Sequence, residues 1–112
     1  MKPVNALVSG LVAAAFFLTA AAAAAADIKA GEAKANDVCQ ACHGLDGNSQ
    51  TADYPKLGGQ RRDYLAKTLR DYKSGTRKNA IMAGFAGTLS PQDIENLAAY
   101  YAAQPAVLVV KH

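Results

Sequence analysis

The most reactive side chains in this chain stand close together, at Cys39, Cys42 and His43, in the order Cys-Gln-Ala-Cys-His. These are the chain's two cysteines, and the histidine follows the second directly. The C-x-x-C-H order indicates covalent attachment of a c-type haem. Each thiol can add to one vinyl group of the porphyrin, and the histidine then offers a ring nitrogen to the iron. The motif therefore predicts one haem c, held by Cys39 and Cys42 and ligated by His43.

Other uses of paired cysteines fit this sequence less well. A thioredoxin-like dithiol belongs to a βαβ context, and no strand pattern flanks the motif. A structural zinc ion requires four protein ligands, whereas the one other histidine is His112 and there is no third cysteine. A disulfide between the two cysteines would close a very small loop and leave the adjacent histidine without a role.

The first 26 residues have the organisation of an export signal. Lys2 gives a positive start, an apolar run follows, and three alanines at 24–26 fit the small-residue cleavage rule. The alternative is an uncleaved membrane anchor, because the apolar run is long enough to span a bilayer. We favour cleavage, which leaves residues 27–112 as one periplasmic domain with no stable membrane insertion. Export agrees with the haem, which is attached covalently outside the bacterial cytoplasm.

Three helical patterns surround the motif, and we expect an all-α domain. Alanines and lysines favour a helix over 27–42, an apolar stripe followed by a glycine predicts one over 61–75, and a Ser-Pro start with a capping aspartate predicts one over 90–104. Glycine, asparagine, aspartate and proline make residues 44–60 an irregular segment. Since loops of this length usually have a function, we expect this one to wrap the edge of the haem.

A second ligand for the iron is expected in residues 76–89, which small residues and glycines predict to be a loop. This segment contains Met82, the one methionine beyond Met1. A thioether sulfur is a soft ligand and suits the second axial position of an electron-transfer haem. His112 is the competing ligand, but chain ends tend to fray. We therefore predict that His43 and Met82 are the two metal ligands.

Four motifs together resemble the class I c-type cytochromes, in particular the monohaem c553 and cytochrome c4-like domains of bacteria. The motifs are Cys39 to His43, Tyr-Pro-Lys-Leu-Gly-Gly-Gln at 54–60, Ile-Met-Ala-Gly-Phe at 81–85, and Leu-Ser-Pro-Gln-Asp-Ile at 89–94 leading to Leu-Ala-Ala-Tyr-Tyr at 97–101. The resemblance covers residues 28–105. It implies a small class I cytochrome c fold, with three to four helices wrapped around one covalently bound haem.

The same resemblance implies roles for single residues. The carbonyl of Pro55 would accept a hydrogen bond from the ring of His43, and Gly31 would meet Tyr100 or Tyr101 where the first and last helices cross. One departure is that a cytochrome c4 has two haem domains, whereas this chain has one C-x-x-C-H motif.

Ligation of the iron from both sides leaves no open position for a substrate, so we expect electron transfer and no enzyme activity. The expected function is a one-electron Fe(III)/Fe(II) shuttle between a quinol-oxidising complex and a terminal oxidase or reductase. The alternative is a haem c electron-accepting subunit of a periplasmic dehydrogenase complex.

The charge distribution predicts how redox partners are found. Residues 61–78 contain seven basic and two acidic side chains, a net charge of +5 in a chain of formal net charge +3. This asymmetry favours docking onto acidic partner surfaces, although a solvated helix face is the alternative. Nucleic-acid binding is not expected, because no binding motif accompanies these charges. We expect a monomer, and the sequence leaves open whether the apolar tail at 106–110 packs on the body or meets a partner.

Overall fold

The computed structural model describes residues 1–4, 9–16 and 25–107. Regular structure in these ranges consists of α1 (Ile28–Val38), α2 (Gln40–His43), α3 (Arg62–Ser74), α4 (Ala80–Gly87) and α5 (Pro91–Ala102). The prediction of an all-α fold is confirmed, with four longer helices and the single turn of α2. None of the described helices is long and apolar enough to cross a membrane. His112, most of the apolar tail and part of the predicted export signal lie outside the described residues.

Helices α1 and α5 cross in close contact. A Cβ atom at Gly31 would lie 2.1 Å from the carbonyl oxygen of Asn96 and 2.9 Å from the Cβ of Tyr100. Both distances are shorter than van der Waals contact, so only glycine allows the two helices to approach this closely. The prediction that Gly31 meets one of the two tyrosines of the last helix is confirmed for Tyr100.

The hydrophobic core lies mainly on one face of α5. Four of its buried members on that helix lie at helical spacing, namely Ile94, Leu97, Ala98 and Tyr101, and Tyr100 is buried beside them. They pack against Ala35 of α1, Leu65 and Ala66 of α3, and Leu89. Because α5 contacts both α1 and α3, it positions the helix that precedes the cysteine motif relative to the rest of the domain.

The predicted C-terminal end of α3 and the predicted N-terminal start of α5 are confirmed. Gly75 follows α3 in the left-handed conformation with φ 81°, which L side chains rarely adopt. At the start of α5 the side chain of Ser90 accepts from Asp93 N, and the carboxylate of Asp93 accepts from Ser90 N. This reciprocal pair satisfies two backbone donors that a helix otherwise leaves free.

Two predictions about helices are wrong. The segment predicted as a methionine loop contains α4, because the side chain of Asn79 accepts a hydrogen bond from Met82 N at 3.0 Å and starts a helix that the two glycines did not prevent. The first helix does not continue to Cys42. It ends at Val38, and Cys39 departs from helical geometry at φ −114° before the separate turn of α2.

Candidate functional site

The Cys-Gln-Ala-Cys-His motif forms one compact turn directly after α1. His43 N donates to the carbonyl oxygen of Cys39 at 3.0 Å, which closes the turn. Both thiols are free, and both cysteines are half-buried. The turn therefore presents two sulfur atoms and one imidazole from a single short segment.

His43 is held in one orientation by the long irregular segment that follows it. The ring is only 6% exposed, and Nδ1 lies 2.9 Å from the carbonyl oxygen of Pro55. Because a carbonyl oxygen can only accept, Nδ1 is the donor in this hydrogen bond, and Nε2 keeps the lone pair that a metal ion requires. The edge of the Tyr54 ring lies beside the imidazole, with ring centroids 6.3 Å apart.

The segment that contains Pro55 is fastened to the chain beyond α5 through Asn48. The side-chain nitrogen of Asn48 donates to the carbonyl oxygen of Pro105 at 2.9 Å, and its side-chain oxygen accepts from Val107 N at 3.1 Å. Asn48 itself is 6% exposed, so water cannot readily replace these partners. Asn48 thus holds the histidine-orienting segment against a part of the chain that is distant in sequence.

Replacing Asn48 with alanine is expected to lower the free energy of unfolding by about 2 kcal/mol, because the change removes the hydrogen bonds to Pro105 O and Val107 N, each worth about 1 kcal/mol. Urea denaturation of the haem-bearing protein measures the effect. Gln50→Ala is the matched control, since Gln50 is exposed and makes one long contact of 3.4 Å with Asn48 O. Equal stability of the two variants would show that the Asn48 bridge does not hold the segment in place.

The two cysteines lie in different electrostatic surroundings. Burial raises the pKa of the Cys39 thiol to about 11, and the nearby Cys42 adds to the increase. The pKa of the Tyr54 hydroxyl is raised as well, chiefly by the charge of Cys42. At neutral pH the Cys39 sulfur is therefore protonated in the chain without a cofactor.

Met82 lies on a different element from the cysteine motif. It is half-buried in the first turn of α4, and α4 packs against α3. Among the described residues, α4 has its extensive helix contacts with α3, whereas α2 has them with α1. The helix of Met82 and the turn of the cysteine motif therefore do not pack extensively on each other. The structure thus brings Cys39, Cys42, His43 and Pro55 together and carries Met82 on a separate helix.

The donor set fits a covalently bound haem. Two free thiols share one turn with a buried imidazole whose Nε2 is available, and a thioether is supplied by another element. No group of three or more His, Cys, Asp or Glu side chains that could hold a metal ion occurs among the residues the structure describes. The sequence did not reveal the bridging role of Asn48 or the contact of Tyr101 with the motif, because both depend on distant parts of the chain.

Most basic side chains of α3 have acidic partners in the structure. Arg62 and Arg70 both approach Glu95 of α5, at 3.5 and 2.8 Å, while Lys67 pairs with Asp71. These pairs are exposed and therefore contribute little to stability. Glu95 compensates only one of the surplus charges of residues 61–78, so this surface stays basic.

Comparison with known proteins gives a consistent result. Residues 26–100 match the family described as cytochrome c oxidase, cbb3-type, subunit III. The chain is 52% identical over 79 residues to cytochrome c4 of Thiocapsa roseopersicina, covering 70% of this chain and 41% of that protein. It is 43% identical over 83 residues to cytochrome c-554(548) of Halomonas halodenitrificans, covering 71% of this chain and 99% of that protein.

The fold is similar to that of solved structures as well. The crystal structure of reduced recombinant cytochrome c4 from Pseudomonas stutzeri matches with a TM-score of 0.67 and 44% identity, covering 72% of this chain and 47% of that chain. The present chain thus spans about half or less of the length of the cytochrome c4 relatives that it matches, and nearly the whole length of the c-554(548).

Proposed function

We propose that this chain carries single electrons in the periplasm on one covalently bound haem c. The chain belongs to the class I c-type cytochromes, and this membership is the basis of the proposal. The observation that carries this proposal is the turn from Cys39 to His43, where two free thiols accompany an imidazole oriented by the carbonyl of Pro55. The haem supplies the one-electron Fe(III)/Fe(II) couple when it is bound. The chain's own residues hold the group, orient it and exclude water.

Each site residue has a distinct role in this proposal. Cys39 and Cys42 would hold the haem through two thioether bonds, His43 and Met82 would ligate its iron, and the carbonyl of Pro55 orients the imidazole. A hydrogen bond to the second ring nitrogen makes the metal-bound imidazole a better electron donor and fixes its plane. Two protein ligands on the iron would leave no position for a substrate, which supports the role of a carrier over that of an enzyme.

The proposed partners are a quinol-oxidising complex as donor and a terminal oxidase or reductase as acceptor. Residues 1–26 act as the export signal, and residues 27–112 form the mature monomeric carrier. Support for the periplasmic site comes from the family, whose covalent haem requires assembly outside the cytoplasm. Only one C-x-x-C-H motif is present in this chain, which supports a single haem.

One experiment tests the whole proposal. The protein is expressed with its N-terminal segment in a bacterium that matures c-type cytochromes, and the periplasmic fraction is purified. Intact mass is expected to show a chain that begins at Asp27 and carries one haem, with a reduced-minus-oxidised difference spectrum of a c-type cytochrome. A colourless product with two titratable thiols would refute the proposal. Stable copurification with a dehydrogenase chain would instead favour the subunit role.

The basic surface of α3 gives a prediction about docking. Lys67→Glu is expected to reduce the rate of association with an acidic partner about tenfold at low ionic strength, and the loss should shrink as salt screens the charges. Lys29→Glu is the matched control, because it makes the same change of charge on exposed α1, outside the basic surface. Stopped-flow kinetics of electron transfer to the partner gives both rates. Equal losses in the two variants would show that net charge alone governs the association.

A further inference from the structure

One buried polar group of the core has no hydrogen-bond partner among the residues that the structure describes. The side chain of Tyr101 is 3% exposed, and its hydroxyl makes no hydrogen bond within the part of the chain that the structure describes. Burying a hydroxyl without a partner carries a free-energy cost, and native proteins rarely leave such a group unpaired. The hydroxyl of Tyr101 therefore requires a partner that forms in the functional protein.

The ring of Tyr101 is held so that its hydroxyl cannot turn away to solvent. Its edge packs on the ring of Tyr100 with centroids 5.1 Å apart, and its backbone carbonyl accepts from Gly59 N at 3.0 Å. On the other side, a Cβ atom at Gly47 would lie 2.7 Å from Cδ1 of Tyr101, so the ring is seated directly against the loop backbone. These contacts fix the direction in which the hydroxyl points.

The side chain that shares this buried position is Cys39. It packs against the core cluster that contains Tyr101. Burial raises the pKa of the Tyr101 hydroxyl, and the neighbouring Cys39 adds to the increase. In the structure they stop short of the geometry of a formed hydrogen bond.

Haem attachment changes what the Cys39 sulfur offers to its neighbour. When the thiol adds across a vinyl double bond, a C–S bond forms and the thiol proton goes to carbon, with no net oxidation or reduction. The sulfur keeps its two lone pairs and no longer has a proton to donate. A thioether sulfur is an acceptor only, and a phenol is a suitable donor to it.

We propose that the hydroxyl of Tyr101 donates a hydrogen bond to the Cys39 sulfur once that sulfur carries the haem. This inference rests on the proposed function, since it requires the thioether. It makes Tyr101 a positioning residue, which fixes the first covalent link and withdraws electron density from it. The positive end of the O–H dipole would then lie toward the edge of the haem, where low-dielectric surroundings strengthen its stabilisation of the more electron-rich reduced state and so raise the reduction potential.

The test compares two neighbouring phenols in the haem-bearing protein. Tyr101→Phe keeps the ring and its packing but removes the donor. At a fixed applied potential, the ratio of Fe(II) to Fe(III) is expected to fall about threefold, which is about 28 mV for a one-electron couple. Tyr100→Phe is the matched control. It loses a 2.6 Å hydrogen bond to Leu45 O and so some stability, but it is expected to leave the potential unchanged.

A second arm isolates the contact with the sulfur. In a Cys39→Ala background, which retains attachment through Cys42, Tyr101→Phe should no longer change the Fe(II) to Fe(III) ratio, as a double-mutant cycle requires for a direct contact. An unchanged potential in Tyr101→Phe would overturn the inference, and so would a shift of the same size in the Cys39→Ala background.

The outcomes also separate this inference from the proposed function. A parent protein that carries covalent haem and cycles between its two oxidation states, with a Tyr101→Phe variant of the same potential, would overturn the role of Tyr101 alone. A parent protein without haem would overturn both.

Discussion

Replacement of Met82 by alanine is expected to lower the reduction potential by about 0.1 V or more, part of the roughly 0.8 V range that axial ligands of haem iron span. A thioether ligand favours Fe(II), and its loss removes that preference. The variant should also gain an open coordination position, so that the ferrous protein binds carbon monoxide. Spectroelectrochemistry gives the potential, and the visible absorption spectrum before and after exposure to carbon monoxide reports the open position.

The control for this experiment is the preceding residue of the same helix. Ile81 is 64% exposed, so Ile81→Ala, like Met82→Ala, truncates one long apolar side chain of α4 but removes little packing. We expect its potential and spectrum to match those of the parent protein. If Met82→Ala also kept the parent's potential and bound no carbon monoxide, another residue would have to be the second ligand. His112 would then be the first to replace.

Replacing Gly31 with alanine is expected to lower the free energy of unfolding by about 3 kcal/mol, because the added Cβ meets backbone atoms that cannot move aside. The closest is the carbonyl oxygen of Asn96 at 2.1 Å, which belongs to the backbone of α5. The only relief is to separate α1 from α5, which opens the core between them. For a domain whose total stability is about 5–15 kcal/mol, a loss of this size is large.

Chemical denaturation of the haem-bearing proteins measures this change, and Gly87→Ala is its matched control. Gly87 is the last residue of α4, and a Cβ atom added there would meet no other atom within 4 Å, so the same substitution enters open space. It should leave stability unchanged or raise it by up to about 1 kcal/mol, since alanine is the better helix former. Similar stabilities of Gly31→Ala and Gly87→Ala would mean that the helix crossing is looser than the structure indicates.

Two helix predictions that rested on local preference were wrong. The segment around Met82 contains two glycines, which argue for a loop, yet the cap at Asn79 and the packing of α4 on α3 stabilise a helix there. The first helix contains good helix formers up to the motif, yet it ends at Val38. Local preference is worth only a few tenths of a kcal/mol per residue, so tertiary contacts readily override it.

The local features of this protein were determined by the sequence alone. The motif at Cys39 to His43, the cap of α5 at Ser90 and Asp93, and the glycine that ends α3 each act over a few residues, so spacing is enough to identify them. The prediction of the haem ligands rests on the same kind of local pattern and on the lone methionine of residues 27–112.

Only the tertiary structure decided which distant groups meet. It placed Gly31 against Asn96, joined Asn48 to Pro105, and left the hydroxyl of Tyr101 buried without a hydrogen-bond partner among the described residues. Periodicity shows which face of a helix is apolar, but it does not show which helix covers that face or which buried polar atom lacks a partner. Those answers depend on how all the elements pack together, because close packing fixes each contact through many others.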